Sequence, residues 1–97
     1  MVEHFVTFKF NHQTTDEQKN LAIEKLRTLK NEISGIVDLH CNHNFSDRNK
    51  GYEIGLSVRL NDKQALKHYG PHPKHQEAVA FLMEIGLEDL LVIDFEI

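Results

Sequence analysis

The chain has 97 residues, 40% of them hydrophobic and 27% charged, which suits one domain with a single core and leaves nothing to divide. Its 15 acidic residues outnumber 11 basic ones for a formal charge of −4, and no Lys/Arg cluster offsets that, so nucleic acid is excluded as a partner. No apolar run approaches the roughly 20 residues of a membrane-spanning helix, so no membrane partner is expected.

The opening stretch "VEHFVTFKF" alternates, with Val2, His4, Val6, Phe8 and Phe10 on one face and Glu3, Thr7 and Lys9 on the other. Phe5 is an apolar exception on the second face. Period two over this length predicts a half-buried strand. Its early acid and its alternation are unlike a signal peptide. The single cysteine, Cys41, has no internal disulfide partner, and a cytoplasmic location is expected.

Thr15 followed by Gln18 forms a capping-box pattern, with Asp16 and Glu17 placed for the positive end of a helix. Ala22, Leu26, Leu29 and Ile33 recur at helical spacing and predict an amphipathic helix over 16–33, stopped by Gly35. A second strand is expected over 36–43, with Val37, Leu39 and Cys41 inward. "NFSDRNKG" reads as a polar turn. "YEIGLSVRL" is the cleanest strand, with Tyr52, Ile54, Leu56, Val58 and Leu60 on its apolar face. Asp62 caps a short helix reaching Tyr69, a further helix spans about 73–85, and "LEDLLVIDFEI" closes as a strand. The order β-α-β-β-α-β, with the second helix broken by prolines, predicts a ferredoxin-like α+β fold: an antiparallel four-stranded sheet with helices on one face.

In the last strand Leu91, Ile93, Phe95 and Ile97 share a face, which is assigned to the helix-covered side with Val6, Phe8, Leu56 and Val58. The opposite, open face then carries Phe5, Thr7, Lys9, His40, Glu53, Gly55, Ser57, Arg59, Val92 and Asp94. Its polarity reads as a solvated sheet face. Phe5, Gly55 and Val92 would also admit a second sheet.

The densest chemistry lies in "HYGPHPKH", residues 68–75. Pro71 and Pro73 push Gly70 and His72 toward extended conformations, and Pro73 suits the first turn of the next helix. His72 then caps that helix, and His75 falls in its first turn, where the positive helix end disfavours an imidazolium. A neutral imidazole is the state a general base requires. Tyr69 ends the preceding helix beside it, and His4 points under the helices from the first strand.

Two readings of Tyr69 and His75 stand here: an acid–base pair, or a pair that hydrogen-bonds loop carbonyls and locks the helix start. His72, His75 and His4 also raise a metal reading. They lack the completed set of three or four ligands that zinc sites use, so no metal is expected. Cys41, at an inward strand position, reads as a small hydrophobe.

Four segments, "HFVTFKF", "GYEIGLSVRL", "ALKHYGPHPKH" and the terminal "VIDFE", occur in the order and spacing of the stress-responsive A/B barrel (Dabb) domain, and the chain resembles that family over nearly its whole length. The resemblance implies a ferredoxin-like fold that pairs as a homodimer, sheet against sheet, in a dimeric α/β barrel. It also implies that the chain needs no cofactor. Plant polyketide cyclases of the family close a ring by an intramolecular aldol step, and their catalytic tyrosine and histidine match Tyr69 and His75. Their pocket positions match His4, Val6, Phe8, Ile23, Leu26 and Leu56. This chain has no tryptophan, whereas such a cyclase carries one in its pocket wall.

The functional expectation is a small homodimer with an apolar cleft between sheet and helices, its physiological role undefined, with room for a small carbonyl or aromatic ligand. The alternative is a cofactor-independent cyclase-like or lyase-like enzyme, with His75 as general base and Tyr69 beside it.

Overall fold

The computed structural model describes residues 1–97. Strand β1 (Val2–Phe10) leads to helix α1 (Asp16–Glu32), then β2 (Ile36–His43), β3 (Tyr52–Leu60), helices α2 (Lys63–Tyr69) and α3 (Pro73–Glu84), and strand β4 (Leu87–Glu96). The four strands form one antiparallel sheet in the order β2-β3-β1-β4. It is the ferredoxin-like arrangement, with the second helix split in two by the Gly70–Pro73 stretch.

Local chemistry sets the boundaries. The Thr15 hydroxyl accepts from the Gln18 backbone N–H at 3.1 Å, and the Gln18 side chain accepts from the Thr15 N–H at 2.9 Å, closing the capping box. After α1 the chain turns through Gly35 at φ +94°, a left-handed conformation where a side chain would also meet Ala65 of α2. Asp62 caps α2 by accepting from the Ala65 N–H at 2.8 Å. His72 caps α3 through its ring, Nδ1 accepting from the Lys74 N–H at 3.0 Å, and Pro73 occupies the first turn as expected.

The core lies between one sheet face and the helices: Val6, Phe8, Leu56 and Val58 meet Ala22, Ile23, Leu26 and Leu29 of α1 and Ala78 and Leu82 of α3. Lys19 is also buried there, its ammonium 2.7 Å from Glu53 on β3.

Three sequence expectations about strand faces are corrected. The first concerns β4. In the β1–β4 register, His4, Val6 and Phe8 stand opposite Asp94, Val92 and Leu90. Directly paired residues share a face, so Leu90, Val92 and Asp94 lie on the helix side. Leu91, Ile93 and Phe95 lie on the open side with Phe5 and Thr7, the reverse of the sequence assignment. The run from Leu90 to Ile93 is apolar on both faces, so periodicity could not orient it.

The second is Val37, expected inward. The β2–β3 register slips between Ile36 and Asp38, leaving Val37 unpaired and 40% exposed. The third is a slip between Phe8 and Lys9 that pairs Lys9 with Tyr52 and skips Glu53. Glu53 therefore reaches Lys19 on the helix side, while the Tyr52 hydroxyl donates to Asp89 of β4 at 2.6 Å.

Candidate active site

A cavity of about 200 Å³ opens between the sheet and the helices. Its floor is His4, Val6 and Phe8 of β1 with Leu56 of β3, and one wall is Leu90 and Val92 of β4. Leu26 of α1 faces these, and Leu66, Tyr69 and Gly70 at the end of α2 join His75, Val79 and Leu82 of α3. The volume falls below the roughly 300–1,000 Å³ of drug-sized ligand sites, which restricts an occupant to a small compound. A wider, shallow groove along β2 and β3 passes Arg27, His40 and His43 and is polar and open to solvent.

Tyr69, His75 and His4, together with Val6, Phe8, Leu26 and Leu56, which the family resemblance implied as pocket positions, all line this cavity. Ile23 is the exception. It sits one turn before Leu26, sealed in the core away from the cavity lining. Asp94 was assigned to the open face, yet it lies on the helix side, paired with His4.

The polar groups are few and individually constrained. The Tyr69 ring packs tilted against His75 with centroids 4.5 Å apart, and edge-on against His4 at 5.5 Å. Tyr69 is 2% exposed, and its hydroxyl has no hydrogen-bond partner. Burial, with the nearby Cys41 thiol adding, pushes that phenol up to about 12, so it remains an O–H donor with nothing to donate to. An unmade bond of this kind costs about 1–3 kcal/mol.

His75 Nδ1 lies 2.8 Å from the Gly70 carbonyl, which the Gln76 side chain also meets at 2.7 Å. A carbonyl can only accept, so Nδ1 carries the proton and Nε2 holds the lone pair in the neutral ring. Nε2 has no hydrogen bond within the chain. Burial lowers the His75 pKa below its ordinary value, with charge on His4 and His72 adding, against a partial opposing effect of the Gly70 bond.

His4 is largely buried, and its Nδ1 is bound to the Asp94 carboxylate across the strand pair. His68 approaches only Gln64, at 3.4 Å, and His72 is occupied in capping. No three His, Cys, Asp or Glu side chains gather as a metal-binding group. No helix is long and apolar enough to cross a membrane. Asp94 escaped sequence reasoning because its place beside His4 is fixed by strand register, for which the doubly apolar β4 carries no local signal.

An uncharacterised protein of Streptomyces coelicolor is 35% identical over 98 residues, covering 99% of each chain. A crystal structure from Bacteroides fragilis, described as a dimeric protein of unknown function with a ferredoxin-like fold, superimposes with a TM-score of 0.82 at 25% identity, covering 99% of this chain and 95% of that one. A hydroxynitrile lyase from Passiflora edulis shares the fold with a TM-score of 0.85 at 16% identity, over 99% of this chain and 92% of its own. The model of the stress responsive A/B barrel domain matches residues 2–97, and with that match the chain belongs to this family.

Proposed function

We propose that the protein acts as a homodimer whose cleft receives a small carbonyl-bearing or aromatic compound. One observation carries the binding role: Tyr69 lines a largely apolar cavity, and its hydroxyl is a buried donor without an acceptor. A ligand carbonyl would supply the missing acceptor and recover the cost of the unmade bond. The dimer is supported by the open sheet face, where Leu91, Ile93 and Phe95 are 55%, 59% and 47% exposed, a patch that monomers rarely leave to water. The dimeric Bacteroides fragilis relative is consistent with it.

The His75 tautomer favours a second, more specific reading. With Nδ1–H held by Gly70, the Nε2 lone pair is free to take a proton alpha to the bound carbonyl while the Tyr69 hydroxyl stabilises the oxygen. That is the chemistry of a cofactor-independent cyclase-like or lyase-like enzyme.

Titration of the ¹⁵N-labelled protein with ethyl acetoacetate and with benzoate tests the binding role. Shifts confined to residues around Tyr69, His75 and Val92, weakened several-fold in Tyr69→Phe, are expected. Shifts scattered over the surface, or none at all, would sink the pocket.

A further inference from the structure

Two histidines of the cleft are each fixed at Nδ1, but by anchors of opposite character. His75 is held by the neutral Gly70 carbonyl, and His4 by the Asp94 carboxylate. We infer that Asp94 is a positioning residue that turns His4 into the acid partner of His75, an inference that rests on the catalytic reading of the cleft.

The argument starts from strand register. His4 and Asp94 are directly paired on the helix side of β1 and β4, so their side chains rise from the sheet together. The His4 side chain is 12% exposed and lines the cavity, whereas the Asp94 side chain is 41% exposed and lies outside the cavity lining, on the far side of His4. An ionised carboxylate only accepts, so the proton sits on His4 Nδ1, and Nε2 is the nitrogen left without a partner. Whenever Nε2 also carries a proton, Asp94 offsets the charge, a service that the Gly70 carbonyl does for His75 only as a dipole. The groups facing this pair are Tyr69 of α2 and His75 of α3, with Lys63, Lys67 and Glu96 around the outer side of Asp94.

This divides the labour. His75 Nε2 removes the α-proton, and the C–H electron pair forms the new C=C bond. The carbonyl π pair moves to oxygen, which takes the Nε2 proton of a His4 ring protonated on both nitrogens, leaving the neutral Nδ1–H ring on Asp94. The substrate becomes its enol, His75 holds one proton more and His4 one fewer, and transfer through water resets the two rings. The substrate class is a small compound with an enolisable C–H beside a carbonyl.

The test uses the intact protein and two readouts on Asp94→Asn and Asp94→Glu. Long-range ¹H–¹⁵N spectra should report a proton held on His4 Nδ1 in the wild type and in Asp94→Glu, whether or not Nε2 carries a second one, and a proton shared between Nδ1 and Nε2 in the neutral ring of Asp94→Asn. Hydrogen–deuterium exchange at the α-carbon of ethyl acetoacetate should lose about 10- to 100-fold in kcat in Asp94→Asn with KM within about twofold, partly restored in Asp94→Glu. An unchanged His4 tautomer in Asp94→Asn, or a loss carried by KM alone, overturns the positioning role. If the wild type and His75→Gln exchange the probe equally slowly, the catalytic reading of the cleft fails and the acid role falls with it. The tautomer spectra then still decide whether Asp94 orients His4.

Discussion

The rings of Tyr69 and His75 are packed 4.5 Å apart at their centroids, yet the Tyr69 hydroxyl bonds to nothing. Contact between the rings is therefore apolar, and the hydroxyl is held at a cost. Tyr69→Phe removes that cost and keeps the ring packing. It is expected to stabilise the protein by about 1 kcal/mol, a rise of about 4–8 °C in the thermal midpoint for a chain of this size. Ligand binding should weaken in the same variant. A fall in the midpoint, followed by circular dichroism, would show that the hydroxyl has a structural partner.

The depressed His75 pKa has a defined sign for stability. Because the folded protein holds the ring neutral below its ordinary value of 6.5, the unfolded chain takes up the proton first as pH falls. The stability associated with neutral His75 is complete above 6.5 and is lost as pH drops from there through the folded value. The urea midpoint of the wild type should decline over that window, and that of His75→Gln should decline less. Any proton-abstraction activity should persist below pH 6.5 for the same reason. Equal pH slopes for the two proteins would remove His75 from the account.

Cys41 is 4% exposed on the helix side of β2, and burial pushes its thiol up to about 12, against a small opposing effect of Arg27. Almost none is thiolate at pH 8, so a thiol reagent such as 5,5′-dithiobis(2-nitrobenzoate) should label it only after denaturation. Stoichiometric labelling within seconds in native buffer would contradict the burial.

On the open face, Ile93 sits among Leu91, Phe95 and Phe5, with the Phe5 and Phe95 rings 5.8 Å apart. A lysine at 93 would set a charge in the middle of the patch that the proposed homodimer would bury. Ile93→Lys is expected to sediment as an 11.3 kDa species while the wild type sediments at twice that mass. Identical sedimentation of the two would place the interface elsewhere.

The parts of the fold visible in the sequence were those in which one face alone is apolar. β1, most of β3 and the spacing of α1 have that property, and the Thr15 and Asp62 caps have direct chemical signatures. Bulges do not. An extra residue at Val37 or Glu53 leaves the amino-acid pattern continuous while the partner strand slips, and only pairing reveals it.

The site divides in the same way. Tyr69 and His75 were legible because Pro71 and Pro73 fix the chain between them. The His4–Asp94 pair joins residues 90 positions apart through register alone. Ile23 was carried over by resemblance to a pocket it does not reach, one helical turn from the lining residue Leu26.

β4 lies at the edge of the sheet, with a backbone free to pair and apolar side chains on both faces from Leu90 to Ile93. Such a strand can recruit another copy in the wrong alignment as readily as in the right one. Glu88, Asp89, Asp94 and Glu96 flank the run and act as gatekeepers, since stacking identical strands would bring their like charges together. Acid removes that repulsion. The protein's failure at low pH should therefore be colloidal, with light scattering rising before the circular dichroism of unfolding is complete.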